Sequence, residues 1–107
     1  MKKIVALVVL LCAVMISSTA SAAKGVVVFY GERSNKIIIE TNRGHFTCGE
    51  VMSITMRLSR GDEVEGELES SGTHELYNLT SDESFSVWID DYRLSKERAL
   101  DWLERNS

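Results

Sequence analysis

The chain has 107 residues, with 12 basic and 16 acidic side chains, a formal net charge of −4, two cysteines and no proline. This length supports one domain with one modest core and excludes a second domain. The acidic balance argues against nucleic acid as a partner, because neutralising phosphates needs a basic face.

The amino terminus has the composition of a secretory signal peptide over residues 1–22. A basic start precedes an apolar stretch over residues 4–16, and small residues follow it up to Ala22. The apolar stretch is too short for a good membrane anchor. We predict cleavage after Ala22, with Ala23 as the alternative, and one exported domain over 23–107. Loss of the two leader lysines takes the net charge from −4 to −6. The expected location is the bacterial periplasm or the outside medium.

Three β-strands are predicted in the first half of the mature chain. Residues 26–30 (VVVFY) and 36–41 (KIIIET) are rich in β-branched and aromatic side chains, and the polar GERSN between them predicts a hairpin. After a turn that contains Gly44, residues 45–52 (HFTCGEVM) continue as a third strand. Period-two alternation places three of its side chains on one apolar face: Phe46, Cys48 and Met52.

An acidic strand is predicted after the segment 53–60, which fits either a strand or a short helical connection. If residues 63–69 are extended, Val64, Gly66 and Leu68 lie on one face. The other face carries four carboxylates about 6.8 Å apart: Glu63, Glu65, Glu67 and Glu69. Calcium needs oxygen ligands within about 2.3–2.6 Å of one centre, so we predict no metal site here. The row is interpreted as a solvated strand face, or alternatively as a surface that attracts a basic partner protein.

The last predicted elements are a strand and a helix. Residues 85–92 (FSVWIDDY) alternate, with Phe85, Val87 and Ile89 on the core face. The opposite face carries Ser86, Trp88, Asp90 and Tyr92. The preceding HELYNLT fits either a strand or a half-turn. Ser95 can cap a final helix, whose apolar stripe consists of Ala99, Leu100, Trp102 and Leu103 and is expected to cover an end or face of the sheet.

The order of these segments resembles small closed barrels of the OB-fold or SH3-like type. The resemblance is carried by the hairpin GVVVFYGERSNKIIIETNRG, the strand HFTCGEV and the phrase LSRGDEVEGEL, and it covers about residues 25–92. It implies a mainly β, five-stranded barrel-like domain with one C-terminal helix. An OB barrel would place a binding face on its second and third strands. OB barrels usually carry a helix between the third and fourth strands, and here residues 53–60 provide at best a short one, so an SH3-like barrel or an unclosed sheet are the alternatives.

No constellation of residues predicts catalysis or a cofactor. Cys48 lies on an apolar face, which predicts core packing, with an intermolecular disulfide as the alternative. His45 and His74 lack a spaced partner for zinc, so surface positions are expected. Asp90 and Asp91 point to opposite faces unless the strand bulges. With no triad spacing or phosphate loop, we predict a protein that is not an enzyme.

Besides the acidic row, a second candidate binding group consists of Trp88 and Tyr92. Either the terminal helix covers them, or they form an exposed aromatic platform for a sugar ring or a partner's side chain. We expect a small binding or accessory module whose partner is another envelope or secreted protein. A carbohydrate- or small-ligand-binding barrel is the first alternative, and a small hydrolase or enzyme inhibitor is the second.

Overall fold

The computed structural model describes residues 23–52 and 58–106. The predicted signal peptide and residues 53–57 of the ambiguous segment lie outside this part of the chain. The described elements are β1 (Ala23–Tyr30), β2 (Lys36–Thr41), β3 (Phe46–Val51), β4 (Glu63–Gly66), β5 (Gly72–Asn78), β6 (Glu83–Leu94) and α1 (Lys96–Arg105). Within these residues, no helix combines the length and apolar character needed to cross a membrane.

The strands close into a barrel in the order β1-β2-β3-β6-β5-β4, and every neighbouring pair is antiparallel. The barrel therefore consists of two three-stranded meanders, β1-β2-β3 and β4-β5-β6. They join along β3 with β6 and along β1 with β4. The predicted mainly β barrel with a C-terminal helix is confirmed. The strand count is six rather than five, because HELYNLT belongs to a strand that pairs with β6 from Gly72 to Asn78.

The main core fills the inside of the barrel with one face of each strand. Its buried members are Val27, Ile37, Ile39, Val51, Leu58, Val64, Leu68, Leu76, Phe85, Val87 and Ile89. The core faces predicted for β4 and β6 are confirmed by this set. One polar side chain in the interior is satisfied, because the Thr47 hydroxyl donates a hydrogen bond to the Leu68 carbonyl at 2.7 Å.

A second core lies outside the barrel, between α1 and the outer side of β2 and β3. Its buried members are Ile38, Cys48, Leu94, Ala99 and Trp102. Ser95 caps the helix, since its hydroxyl accepts the Arg98 amide at 3.3 Å, as predicted. Because β2 is buried on both faces, it reads as a continuous run of isoleucines rather than an alternating pattern.

The face shared by Phe46, Cys48 and Met52 points out of the barrel, not into it. Cys48 has no exposed surface because α1 covers it, which confirms its predicted core packing. Met52, by contrast, is 58% exposed. It lies on this outer face beyond the second core that α1 forms there.

Two irregularities in the pairing of β6 with β3 change the direction in which the side chains at the end of β6 point. Gly49 pairs with Ile89 while the adjacent Cys48 pairs with Asp91, so Asp90 is an extra residue on β6. Further along, Arg93 adopts a positive φ of 55°. Tyr92 packs against the barrel core as a result. Its predicted position on the same face as Trp88 is therefore wrong.

Candidate binding surface

Side chains at alternate positions of β4, β5, β6 and β3 point out of the barrel and form one surface, which we call the outer face. It consists of Glu63, Glu65, Thr73, Glu75, Tyr77, Ser84, Ser86, Trp88, Asp90, Glu50 and Met52. Cross-strand pairing fixes its layout: Glu65 lies opposite Tyr77, Tyr77 opposite Ser84, Glu75 opposite Ser86, Thr73 opposite Trp88, and Trp88 opposite Glu50. The layout brings part of the acidic row and one of the two predicted aromatic residues onto a single surface.

Trp88 and Met52 are the most exposed large apolar side chains of the outer face, at 47% and 58%. The Thr73 hydroxyl lies 3.8 Å from the Met52 sulfur, which places β5 beside both. Of the two alternatives for Trp88, covering by the C-terminal helix is wrong, because α1 packs over Ile38 and Cys48 instead. An indole left in solvent at the middle of a sheet is a candidate anchor for a ligand.

Trp88 lines two recesses of the surface. One has a volume of about 400 Å³ and reaches Asn35 and Met52, and the other has a volume of about 190 Å³ and reaches Asp90 and Trp102. Trp88 and Glu50 line both.

The polar groups around Trp88 are held by specific contacts. The Lys36 ammonium lies 3.3 Å from Glu50 Oε2 and 5.9 Å from the centroid of the Trp102 ring. The Trp102 indole N–H donates to Asp90 Oδ2 at 2.7 Å, and the Asn106 amide donates to the Trp102 carbonyl at 2.7 Å. These bonds hold the carboxylates of Glu50 and Asp90, which line one recess together with Trp88.

The acidic row does not continue as one straight strand. β4 ends at Gly66, so Glu63 and Glu65 lie on the outer face while Glu67 and Glu69 follow the strand. The Glu69 side chain is 16% exposed and its Oε2 lies 3.1 Å from Arg93 Nε. Glu69 is therefore occupied within the molecule, whereas Glu63 and Glu67 are exposed.

The outer face is acidic throughout. Its carboxylates belong to Glu50, Glu63, Glu65, Glu75 and Asp90, and none of its members is basic. Lys24 on β1 and Lys36 on β2 stand at its two margins, opposite Glu65 and Glu50 respectively. An acidic surface around an exposed aromatic side chain is complementary to a basic ligand.

The residues considered for catalysis or metal binding lie elsewhere or are engaged. Burial, and after it the nearby Asp91 and Asp90 carboxylates, raises the pKa of the Cys48 thiol to about 12. His45 is exposed, and His74 is half-buried with Nε2 3.1 Å from the Ser70 carbonyl oxygen. Over residues 23–52 and 58–106 there is no group of three or more His, Cys, Asp or Glu side chains that could hold a metal ion.

Sequence reasoning missed Glu50, Met52 and Thr73 as neighbours of Trp88. The alternation in HFTCGEVM does put Glu50 and Met52 on one face, but only the register with β6 and β5 shows that this face meets Trp88. Comparisons of the chain with protein-family models, curated proteins and solved structures found no match.

Proposed function

We propose that this protein is a non-enzymatic binding module that docks a basic protein partner on its outer face. The observation that carries the proposal is the exposure of Trp88 and Met52 within a surface whose charged side chains are all carboxylates. Large apolar side chains supply contact energy at the centre of protein interfaces. Surrounding charge of one sign steers a partner of the opposite sign and rejects others.

The chemistry of the remaining polar residues supports a binding role over a catalytic one. Cys48 is buried and its raised pKa keeps the thiol protonated, which makes it a poor nucleophile. Asp90 and Asp91 each accept a hydrogen bond within the protein, from Trp102 and from the Tyr92 amide respectively. Action outside the cytoplasm is part of the proposal and rests on the signal-peptide composition of residues 1–22.

The proposal is tested by capture from an envelope extract with protein spanning 23–107. The variant Trp88→Ala with Met52→Ala should lose a partner that the unchanged protein retains, since both side chains are exposed and their truncation spares the cores. Leu100→Ala is the matched control, because Leu100 is equally exposed, at 53%, but lies on α1. Retention of the same partner by the Trp88 and Met52 variant would refute the proposal.

A second set of variants separates the two parts of the acidic surface. Changing Glu50, Glu65 and Glu75 to Gln should weaken capture and remove most of its salt dependence, because exposed charges act through screened electrostatics. Changing Glu67 and Glu69 should have little effect, since neither belongs to the outer face. If both sets of variants lost capture equally, the docking surface would include Glu67 and Glu69 as well as the outer face.

A carbohydrate ligand is the second candidate, and one observation favours it. Trp88 is exposed beside both hydrogen-bond donors, on Lys36 and Asn106, and acceptors, on Glu50 and Asp90. Sugars need such mixed groups together with an apolar ring face. Retarded migration in gels containing soluble polysaccharide, abolished by Trp88→Ala, would support this candidate, and unchanged migration in all gels would count against it.

A further inference from the structure

We infer that Trp88, together with the Glu50 and Asp90 carboxylates beside it, binds an arginine side chain of the partner. The inference rests on the proposed function, because it names the group that the outer face recognises. The observations behind it are the hydrogen-bonding capacity and the placement of the residues around the indole.

Each donor group around Trp88 makes a hydrogen bond within the protein, and the Lys36 ammonium and the Asn106 side-chain amide keep further N–H groups. Lys36 donates to Glu50 Oε2, Asn106 donates to the Trp102 carbonyl, and Trp102 donates to Asp90 Oδ2. Acceptor capacity remains, since Glu50 Oε1 and Asp90 Oδ1 take no hydrogen bond from the part of the chain that the structure describes. Because the two carboxylates outnumber the one ammonium, on Lys36, a ligand that matches this surface brings positive charge together with its donors.

The placement of the acceptors favours a guanidinium over an ammonium. Glu50 lies directly opposite Trp88 on β3, Asp90 lies two residues after Trp88 on β6, and both carboxylates line one recess together with Trp88. A planar guanidinium can stack on the indole face and still direct several N–H groups sideways to carboxylates. An ammonium is a compact charge that cannot cover the ring in this way.

The salt bridge already present does not close the site. Lys36 contacts only Oε2 of Glu50, and the Glu50 side chain is 49% exposed. Such a partly exposed ion pair is weak. An incoming guanidinium can therefore bind Oε1 with Lys36 in place.

The test is an NMR titration of ¹⁵N-labelled protein, spanning 23–107, at low salt with three blocked tripeptides, Gly-X-Gly, in which X is arginine, lysine or citrulline. Citrulline keeps the shape of arginine and removes its charge. We expect saturable shifts of the Trp88 indole N–H and the Glu50 amide with the arginine peptide, at a Kd on the order of millimolar for so small a ligand. Binding should be at least about tenfold weaker for citrulline and about threefold weaker for lysine.

Variants locate the binding on the protein. Trp88→Leu should abolish the saturable shifts, and Glu50→Gln should weaken binding by about tenfold, the loss of one charge-assisted contact. Asp101→Asn is the control, because Asp101 is an exposed carboxylate on α1 that pairs with Arg105. Its affinity for the arginine peptide should be unchanged.

Three results would overturn the inference: equal affinities for arginine and citrulline, no saturable shift, or unchanged binding by Glu50→Gln. A shift of the Trp88 indole with chitotetraose or cellotetraose, and none with the arginine peptide, would reassign the site to carbohydrate. Failure of the arginine titration, with partner capture still dependent on Trp88 and Met52, would overturn this inference alone. Normal arginine binding without any such partner would overturn the proposed function.

Discussion

At the scale of single residues, Cys48 shows how position decides chemistry. A lone cysteine in an exported chain invites a disulfide between two copies. Here the thiol has no exposed surface and lies in the second core, with Ile38 of β2 and the buried side chains of α1. Its burial and the nearby Asp91 and Asp90 carboxylates disfavour the thiolate. Cys48 therefore behaves as a small apolar side chain.

Stability should fall at alkaline pH through this residue. The thiol pKa is raised from 9.0 to about 12 on folding. Between these values the unfolded chain has lost the proton and the folded protein still holds it, so the free energy of unfolding decreases as pH rises. Below pH 9 both states are protonated, and the contribution of Cys48 is fully present.

Urea unfolding at pH values on both sides of 9 measures this effect. Cys48→Ala provides the comparison: it should be less stable at neutral pH because of the cavity, yet should lose less stability than the unchanged protein on going above pH 9. Parallel pH profiles for the two proteins would contradict the prediction.

At the scale of elements, α1 is anchored by a hydrogen bond between its buried tryptophan and the irregularity in β6. Trp102 is 4% exposed, and its indole N–H reaches Asp90, the extra residue created where the register shifts. The bulge therefore serves the docking of the helix as well as the inward direction of Tyr92. Removal of the acceptor would leave the indole N–H without its partner.

Asp90→Ala should lower the free energy of unfolding by about 1–3 kcal/mol, the usual cost of an orphaned buried donor. In a Trp102→Phe background the same change should cost less than about 0.5 kcal/mol, because the donor is then absent. Asp91→Ala is the control, since Asp91 accepts a hydrogen bond from the Tyr92 amide. Its loss of unfolding free energy should simply add to that of Trp102→Phe. If the losses of unfolding free energy for Asp90→Ala and Trp102→Phe were also additive, the hydrogen bond between the two side chains would contribute nothing to stability.

Elements were predicted well where the signal is local, and poorly where it depends on register. The strands around VVVFY, KIIIET and FSVWIDDY follow from alternation and β-branched composition. The exposure of Met52 and the inward turn of Tyr92 depend on where α1 lies and on the bulges in β6, which no local pattern encodes. The same limit applies to the site: Trp88 was found from the sequence, but its neighbour Glu50 required the pairing of β3 with β6.

At the scale of the whole molecule, the two meanders depend on each other. Each contributes strands to both seams of the barrel, and they share the main core. The Thr47 hydroxyl of β3 also bonds the Leu68 carbonyl of the segment after β4. We therefore expect one cooperative unfolding transition, with no stable half-barrel.

Native-state hydrogen exchange checks this expectation. Backbone amides of Ile38 in β2 and Leu76 in β5 should open with the same free energy, equal to that of global unfolding. A difference of several kcal/mol between the two meanders would show that one of them unfolds first. Amides at the ends of α1 serve as the reference for local fraying, which should be faster than either.

The closure of the barrel also affects how fast the chain folds, because it pairs strands that are far apart in the sequence. β3 ends at Val51, but its partner β6 begins only at Glu83. In the same way β1 ends at Tyr30, and its partner β4 begins only at Glu63. Such distant pairings pay loop-closure entropy before they gain contacts, so folding belongs to the slower range of small domains, milliseconds to seconds. Until those pairings form, the edges of β1 and β3 and the isoleucine run of β2 have no partner, so the chain is most exposed to aggregation before the barrel closes.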